Sequence, residues 1–119
     1  MQYLDTYALM EIKNESPSYA RVTNFSFLVS DMTLIEFHAV LLRDKDQSEA
    51  DYWVRKFLPF VETTSLEEKL EANRFKRKNK GLNLSFYDAV GYIHSLQNHG
   101  QFVTGDKAFE KLPHVNYIK

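Results

Sequence analysis

The chain has 119 residues, of which 44% are hydrophobic, 14% aromatic and 26% charged, proportions that exclude a disordered tail and a membrane-spanning protein and imply a packed core. There is no cysteine, which removes disulfides, thiolate metal sites and cysteine nucleophiles and leaves oxygen and imidazole as the available ligands. The formal net charge of -1 lacks the basic excess that phosphate-binding surfaces normally carry.

No repeat, low-complexity stretch or linker divides the chain, so residues 1–119 read as a single domain. An apolar run starts within two residues of Met1, leaving no basic leader, apolar signal region or cleavage site, and the expected location is the cytoplasm.

In chain order, Gln2 to Leu4 predicts a short strand ending at Asp5, and Thr6 to Asn14 a helix with Ala8, Leu9 and Ile12 on one face. Phe25 to Val29, broken only by Ser26, predicts a second strand. Ser30 and Asp31 are cap candidates for a helix to about Leu42. Leu34, Ile35, Phe37, Ala39, Val40, Leu41 and Leu42 make that helix apolar nearly all round, so it is expected to be central and buried, with Glu36 and His38 as its polar interruptions. Ser48 to Leu58 predicts a helix carrying Trp53 and Phe57 and stopped by Pro59, and Phe60 to Thr63 a short third strand. Ser65 and Glu68 form a capping-box pattern for a further helix, with Gly81 at its left-handed C-terminal position. Ser85 and Asp88 form a second such pattern, opening a helix to about Asn98 before Gly100. Phe102 to Thr104 predicts a strand, Lys107 to Leu112 a short helix and Val115 to Ile118 a closing strand. Strands separated by long helices imply an α/β fold, a three-layer α/β/α sandwich around a mainly parallel sheet.

In such a sheet the working crevice lies beyond the carboxyl ends of the strands. Asp5 and Asp106 follow predicted strands, while Glu36 and Asp88 lie in or near the first turns of helices that start at the same edge. Asp5, Asp88 and Asp106 each also suit a plain helix cap. Glu36, flanked by Ile35 and Phe37, would be costly to bury unpaired, which favours a functional reading there. An oxygen-only set of four carboxylates suits one or two Mg²⁺ or Mn²⁺ ions. Two such ions, about 3.5–4 Å apart, activate water and stabilise the oxygen leaving a phosphodiester. They would also carry the formal charge from -1 by +4 to +3, which answers the missing basic excess. Thr6 and Thr104 stand beside proposed ligands and are candidates for supporting hydroxyls, or for ordinary strand and turn residues. His38, His94, His99 and His114 show no ligand spacing; His38 reads as a partly buried imidazole bonded to a neighbour.

Arg74, Lys76, Arg77 and Lys78, with Phe75 among them, form a basic segment that suits RNA-backbone contact. Glu67, Glu68 and Glu71 precede it on the same helix, so the ordering equally suits the helix dipole.

The runs YLDTYALMEI, FLVSDMTLIEFHAVL, LSFYDAVGYIHS and FVTGDKAFEKL, in that order and spacing, resemble the PIN domain, especially the short VapC-like ribonuclease toxins. The resemblance spans nearly the whole chain. It implies a Mg²⁺- or Mn²⁺-dependent endoribonuclease acting on RNA, frequent homodimerisation and, often, a cognate VapB-like antitoxin. It also implies that Asp5, Glu36, Asp88 and Asp106 are the active-site acids and Thr104 the supporting hydroxyl. Two positions depart from the family pattern: Tyr7 stands where many members have Asn, and Ala108 where many have a further acid. A catalytically silent PIN-like module that binds RNA or protein is a competing reading, which the retained acids oppose. A phospho-receiver domain, suggested by length, Asp5 and Lys107, lacks the paired acids after the first strand and the phosphoacceptor Asp.

Overall fold

The computed structural model describes all residues from Met1 to Lys119. Five strands, β1 (Gln2–Leu4), β2 (Phe27–Ser30), β3 (Val61–Glu62), β4 (Gln101–Thr104) and β5 (Val115–Tyr117), form one sheet in the order β3-β2-β1-β4-β5. Every pairing is parallel; Gln2, Tyr3 and Leu4 of β1 stand opposite Gln101, Phe102 and Val103 of β4. The helices are α1 (Thr6–Lys13), α2 (Asp31–Asp44), α3 (Gln47–Phe57), α4 (Leu66–Lys78) and α5 (Phe86–Gln97). The chain builds outward from β1 through β2 to β3, then returns to the other side of β1 for β4 and β5. The order therefore reverses between β1 and β4, and crevices form at such reversals. This order also removes the phospho-receiver reading, whose sheet runs 2-1-3-4-5.

Alternation along the central strands distributes the core to two faces. Leu4, Val29 and Val103 pack with Ala8, Leu9, Leu34, Phe37, Leu41, Ala50 and Phe57, so α1, α2 and α3 cover one face. Tyr3 and Phe102 point the other way onto Tyr92, Leu84 and Phe109, and α4 joins α5 there through Ala72, Ala89, Val90 and Ile93. The result is the expected three-layer α/β/α sandwich.

Several local expectations change. Helix α2 is amphipathic rather than buried all round: Thr33, Leu34, Phe37 and Leu41 face inward, while Ile35 and Leu42 are 53% and 45% exposed. Helix α3 starts at Gln47, one residue earlier than expected, because Asp46 caps it by accepting the N–H of Glu49. Helix α4 ends at Lys78, where Asn79 caps through its side-chain amide onto the Phe75 carbonyl. The left-handed residue beyond it is Asn83 (φ 53°), not Gly81, and Asn is the residue other than glycine that tolerates this conformation best. The expected helix from Lys107 contracts to one 3-10 turn, Lys107–Phe109. Two further 3-10 turns, Pro17–Tyr19 and Val22–Asn24, bring Tyr19 and Val22 into the core.

Ser65 caps α4 by accepting the Glu68 N–H, but the Glu68 carboxylate goes elsewhere. It takes His94 Nδ1 at 2.6 Å, while His94 Nε2 meets Glu62 Oε1 at 2.9 Å and Tyr3 donates its hydroxyl to the same Glu62 oxygen. His94 thus ties α5 to α4 and to β3. The side chains of His94 and Glu68 are 6% and 13% exposed, that of Glu62 40%. Removing the imidazole leaves Glu68 buried without its partner, so His94→Ala is expected to cost about 3 kcal/mol in denaturant unfolding. Glu62→Gln, at the wetter end of the same bridge, is expected to cost less than about 1 kcal/mol.

Candidate active site

The first strand ends where its last residue turns its side chain back to start a helix. Asp5 is 1% exposed and caps α1, its Oδ1 accepting the Ala8 N–H at 2.9 Å. Its Oδ2 accepts the hydroxyl proton of Thr104, from the end of β4 beside it. Thr104 is fully buried and also accepts the backbone N–H of Asp106 at 2.9 Å, so one hydroxyl orients two acidic residues. Asp106 Oδ1 in turn accepts the Ala108 N–H at 3.0 Å and caps the following 3-10 turn. Asp5 and Asp106 are therefore caps and members of the acid cluster at once.

Helix α2 supplies the third acid. Glu36 is half-buried and its Oε1 accepts the Thr6 hydroxyl proton at 2.6 Å. The apolar neighbour Ile35 faces solvent, so Glu36 sits at the helix boundary toward α1 rather than inside an apolar layer. The fourth acid comes from the opposite helical layer. Ser85 caps α5 by accepting the Asp88 N–H at 3.0 Å, but Asp88 does not complete a capping box. Its Oδ1 is buried without any hydrogen-bond partner, the one side-chain polar atom in the protein so placed. Close contact between α2 and α5 makes this meeting of layers feasible. A Cβ on Gly91 would lie 2.9 Å from Thr33 Oγ1 and 3.3 Å from the Phe102 ring, so glycine lets the two helices approach. Gly91 has no acid–base chemistry to flag it in a sequence, and only its position one turn beyond Asp88 hints at a packing role.

The electrostatic consequence is strong and uneven. Burial raises the Asp5 carboxyl to about 7, opposed by the Thr104 and Ala8 hydrogen bonds and reinforced by the charges of Asp106 and Glu36. Burial pushes Asp88 further, to about 9, with the charges of Asp5 and Glu36, the adjoining Glu36 carboxylate and Asp106 all acting in the same direction. The structure thus brings all four acids named from the sequence into one shared field. Apart from burial and hydrogen bonds, the strongest influences on Asp5 and Asp88 are other carboxylates.

These donors fit a hard divalent cation, on the strength of Asp88's unpartnered oxygen and the all-carboxylate chemistry of the set. No three acids close around a single point as a finished cage. A magnesium-type ion needs no such cage, because it keeps several waters and takes one or two carboxylates directly. Two surface clefts lie elsewhere, one against Ile12 and Tyr19 and one between α2 and α3, and contain none of the four acids. The basic segment also stands apart: Arg74 is held by Glu67 at 3.0 Å and Glu71 at 2.8 Å, which occupies its charge, while Lys76, Arg77 and Lys78 form no ion pair. His38 bonds Asp51 of α3 at 2.9 Å and does not join the acids.

Comparison with known proteins places this geometry in a family. None of the curated protein sequences matches the chain. Solved structures share its fold. VapC20 of Mycobacterium tuberculosis, a sarcin–ricin loop cleaving toxin, superposes with a TM-score of 0.82 at 17% identity, over 100% of both chains. A toxin–antitoxin complex from Klebsiella pneumoniae gives 0.75 at 14% identity, covering 98% of this chain and 96% of the other. VapBC2 from Rickettsia felis, bound to a DNA fragment from its promoter, gives 0.73 at 20% identity over 100% of both. At these identities the structures establish the fold, and the PIN domain family model matches residues 3–115. The chain belongs to the PIN-domain family.

Proposed function

We propose that the protein is a metal-dependent endoribonuclease that hydrolyses RNA phosphodiester bonds at the cluster of Asp5, Glu36, Asp88 and Asp106, and that it is the toxin of a type II toxin–antitoxin pair. The observation that carries this reading is the buried, unpartnered Oδ1 of Asp88, aimed into a set of carboxylates that repel one another. A native chain keeps such an arrangement where function requires it.

The residues divide the work. Asp88, with Asp5, Glu36 and Asp106, would hold one or two Mg²⁺ or Mn²⁺ ions. The chemistry those ions supply when bound is polarisation of the phosphodiester and generation of a hydroxide nucleophile near neutral pH. Thr104 and Thr6 keep Asp5 and Glu36 in fixed orientations, so little reorganisation is needed when substrate arrives. Lys76, Arg77 and Lys78 remain available for phosphate contact once Arg74 is spent on its two glutamates.

The toxin role rests on family and fold. Structural neighbours include VapBC complexes from Salmonella typhimurium and nontypeable Haemophilus influenzae, the former bound to DNA. By analogy the partners of this chain are a VapB-like antitoxin and a second copy of itself, in the cytoplasm. No helix is long and apolar enough to cross a membrane.

Incubation with a mixed RNA pool tests the activity. Cleavage is expected with Mg²⁺ or Mn²⁺ and is expected to stop with chelator. Asp5→Asn, Glu36→Gln, Asp88→Asn and Asp106→Asn should each lower it by about a hundredfold or more while leaving the fold intact, with double substitutions costing little beyond singles. Wild-type rates in any of these variants would remove that residue from the site.

Stability provides a second, activity-independent check. Asp88 and Asp5 hold protons in the folded state that the unfolded chain loses above its ordinary value of 3.8. The folded protein therefore binds more protons between that value and about 9, and in chelator its melting temperature should fall as pH rises through this window. Asp88→Asn, which replaces the crowded carboxyl with an amide able to donate to Glu36, should flatten the fall and raise the pH 8 melting temperature by roughly 5 °C. Added Mn²⁺ should stabilise the wild type and not this variant. A variant destabilised equally with and without metal would make Asp88 a structural residue.

A further inference from the structure

Tyr7 lies in the first turn of α1, between Thr6, which holds Glu36, and Ala8, whose N–H is held by Asp5. Its ring rests on Gly105, the residue joining Thr104 to Asp106. A Cβ at Gly105 would lie 2.1 Å from Tyr7 Cε1 and 2.5 Å from Cζ, with the Ile118 carbonyl also at 2.5 Å. Only glycine admits the ring there. Behind it stands Tyr19, whose ring is tilted at 6.2 Å between centroids and whose own hydroxyl donates to Ile118 O at 2.6 Å.

Tyr7 is thus supported from two sides and still half-buried rather than buried. The hydroxyls of Tyr7 and Tyr117 bond to no protein group and neither is buried, so both meet solvent. At neutral pH the rim beside Asp5 presents an uncharged, rigidly backed aromatic ring.

Building on the ribonuclease reading, we propose that Tyr7, seated on Gly105 beside Asp5 and Asp106, is the stacking platform for an unpaired nucleobase next to the scissile phosphate. A strand whose phosphate reaches Asp5 and Asp106 comes close to this ring, which sits against the residue next to Asp106. An aromatic ring beside the acids adds a contact to the strand that does not depend on charge. Aromatic stacking does so without base specificity and without screening by salt. A base inside a duplex has both faces covered, so the substrate class is single-stranded RNA or a loop with splayed bases. The residue orients substrate and takes no part in proton transfer.

The test uses the full chain and a single-stranded RNA oligonucleotide carrying the cut site mapped on a mixed pool, together with copies bearing an abasic nucleotide on either side of the cut. Tyr7→Ala is expected to raise KM by roughly five- to 150-fold, more than it lowers kcat. Tyr7→Phe, which keeps the ring, should recover most of the loss. An abasic nucleotide at the platform should impose a similar rise on the wild type, and Tyr7→Ala should then add little, as expected for two changes removing one contact. Equal Tyr7→Ala losses on intact and all abasic substrates, or a loss confined to kcat, would overturn the proposal. A binding measurement separates it from the nuclease reading: RNA containing 2-aminopurine is mixed with chain carrying Asp88→Asn, alone or with Tyr7→Ala. Stacking should quench the fluorescence only where Tyr7 is present. Quenching that is absent, or that survives Tyr7→Ala, overturns the platform, whereas Tyr7-dependent quenching without RNA cleavage by the wild type overturns the nuclease reading alone.

Discussion

Mutual repulsion among carboxylates that the fold will not let separate is the constraint on which the rest of this structure depends. Asp5 is fixed by its cap on α1 and by Thr104, Asp106 by its cap and the same hydroxyl, and Glu36 by Thr6. With three acids anchored, the cost falls on the fourth. Asp88 enters from α5 with its Oδ1 unsatisfied and its carboxyl driven far above the ordinary range by burial and by its neighbours. A buried carboxylate that needed only structural satisfaction would complete the capping box that Ser85 begins; this one faces the other acids instead.

The sheet order explains how four acids so far apart in sequence are held in register. Reversal between β1 and β4 places the ends of those two strands side by side, so Asp5 and Thr104 meet directly. The two helical layers then contribute one acid each across that edge, Glu36 from α2 and Asp88 from α5, with Gly91 allowing the layers to close. Charge balance follows the same geometry. The chain carries a formal net charge of -1 and concentrates four carboxylates at one edge, while the basic run Lys76, Arg77 and Lys78 lies on a separate helix. A divalent cation would reverse the sign at the site itself, a different solution from a basic surface.

Much of this was legible because its signals are local. Asp5 ends an apolar run and precedes a helical period, Asp88 and Asp106 sit where first turns must begin, and Glu36 interrupts an apolar stretch. Parallel strands and their connecting helices follow from the same periodicities. What the residues alone do not show depends on contacts distant in sequence. Asp88 is a proper partner for Ser85 on paper, and only the approach of Glu36 and Asp5 makes its oxygen an orphan. Helix α2 looks apolar all round because hydropathy does not say which neighbours will arrive, and Ile35 and Leu42 are left facing solvent. Gly81 carries a conventional stop signal that Asn79 and Asn83 override through side-chain and backbone chemistry. Tyr7 reads as a departure from a family pattern until Gly105 is found beneath its ring. The links of Glu62 and Glu68 to His94 span 32 and 26 residues, with no spacing rule to find them.

The claim that these four carboxylates form one proton-holding field built for a cation is tested most directly by counting protons. Calorimetric titration of the full chain with Mg²⁺ or Mn²⁺ at pH 7, repeated in buffers of different ionisation enthalpy, gives the number of protons released on binding. With the Asp88 carboxyl raised to about 9 and that of Asp5 to about 7, the account predicts release of about one proton or more per chain at pH 7, diminishing toward pH 9.5. Binding with no proton release at pH 7 would show that the acids are already ionised and independent, and would contradict the account.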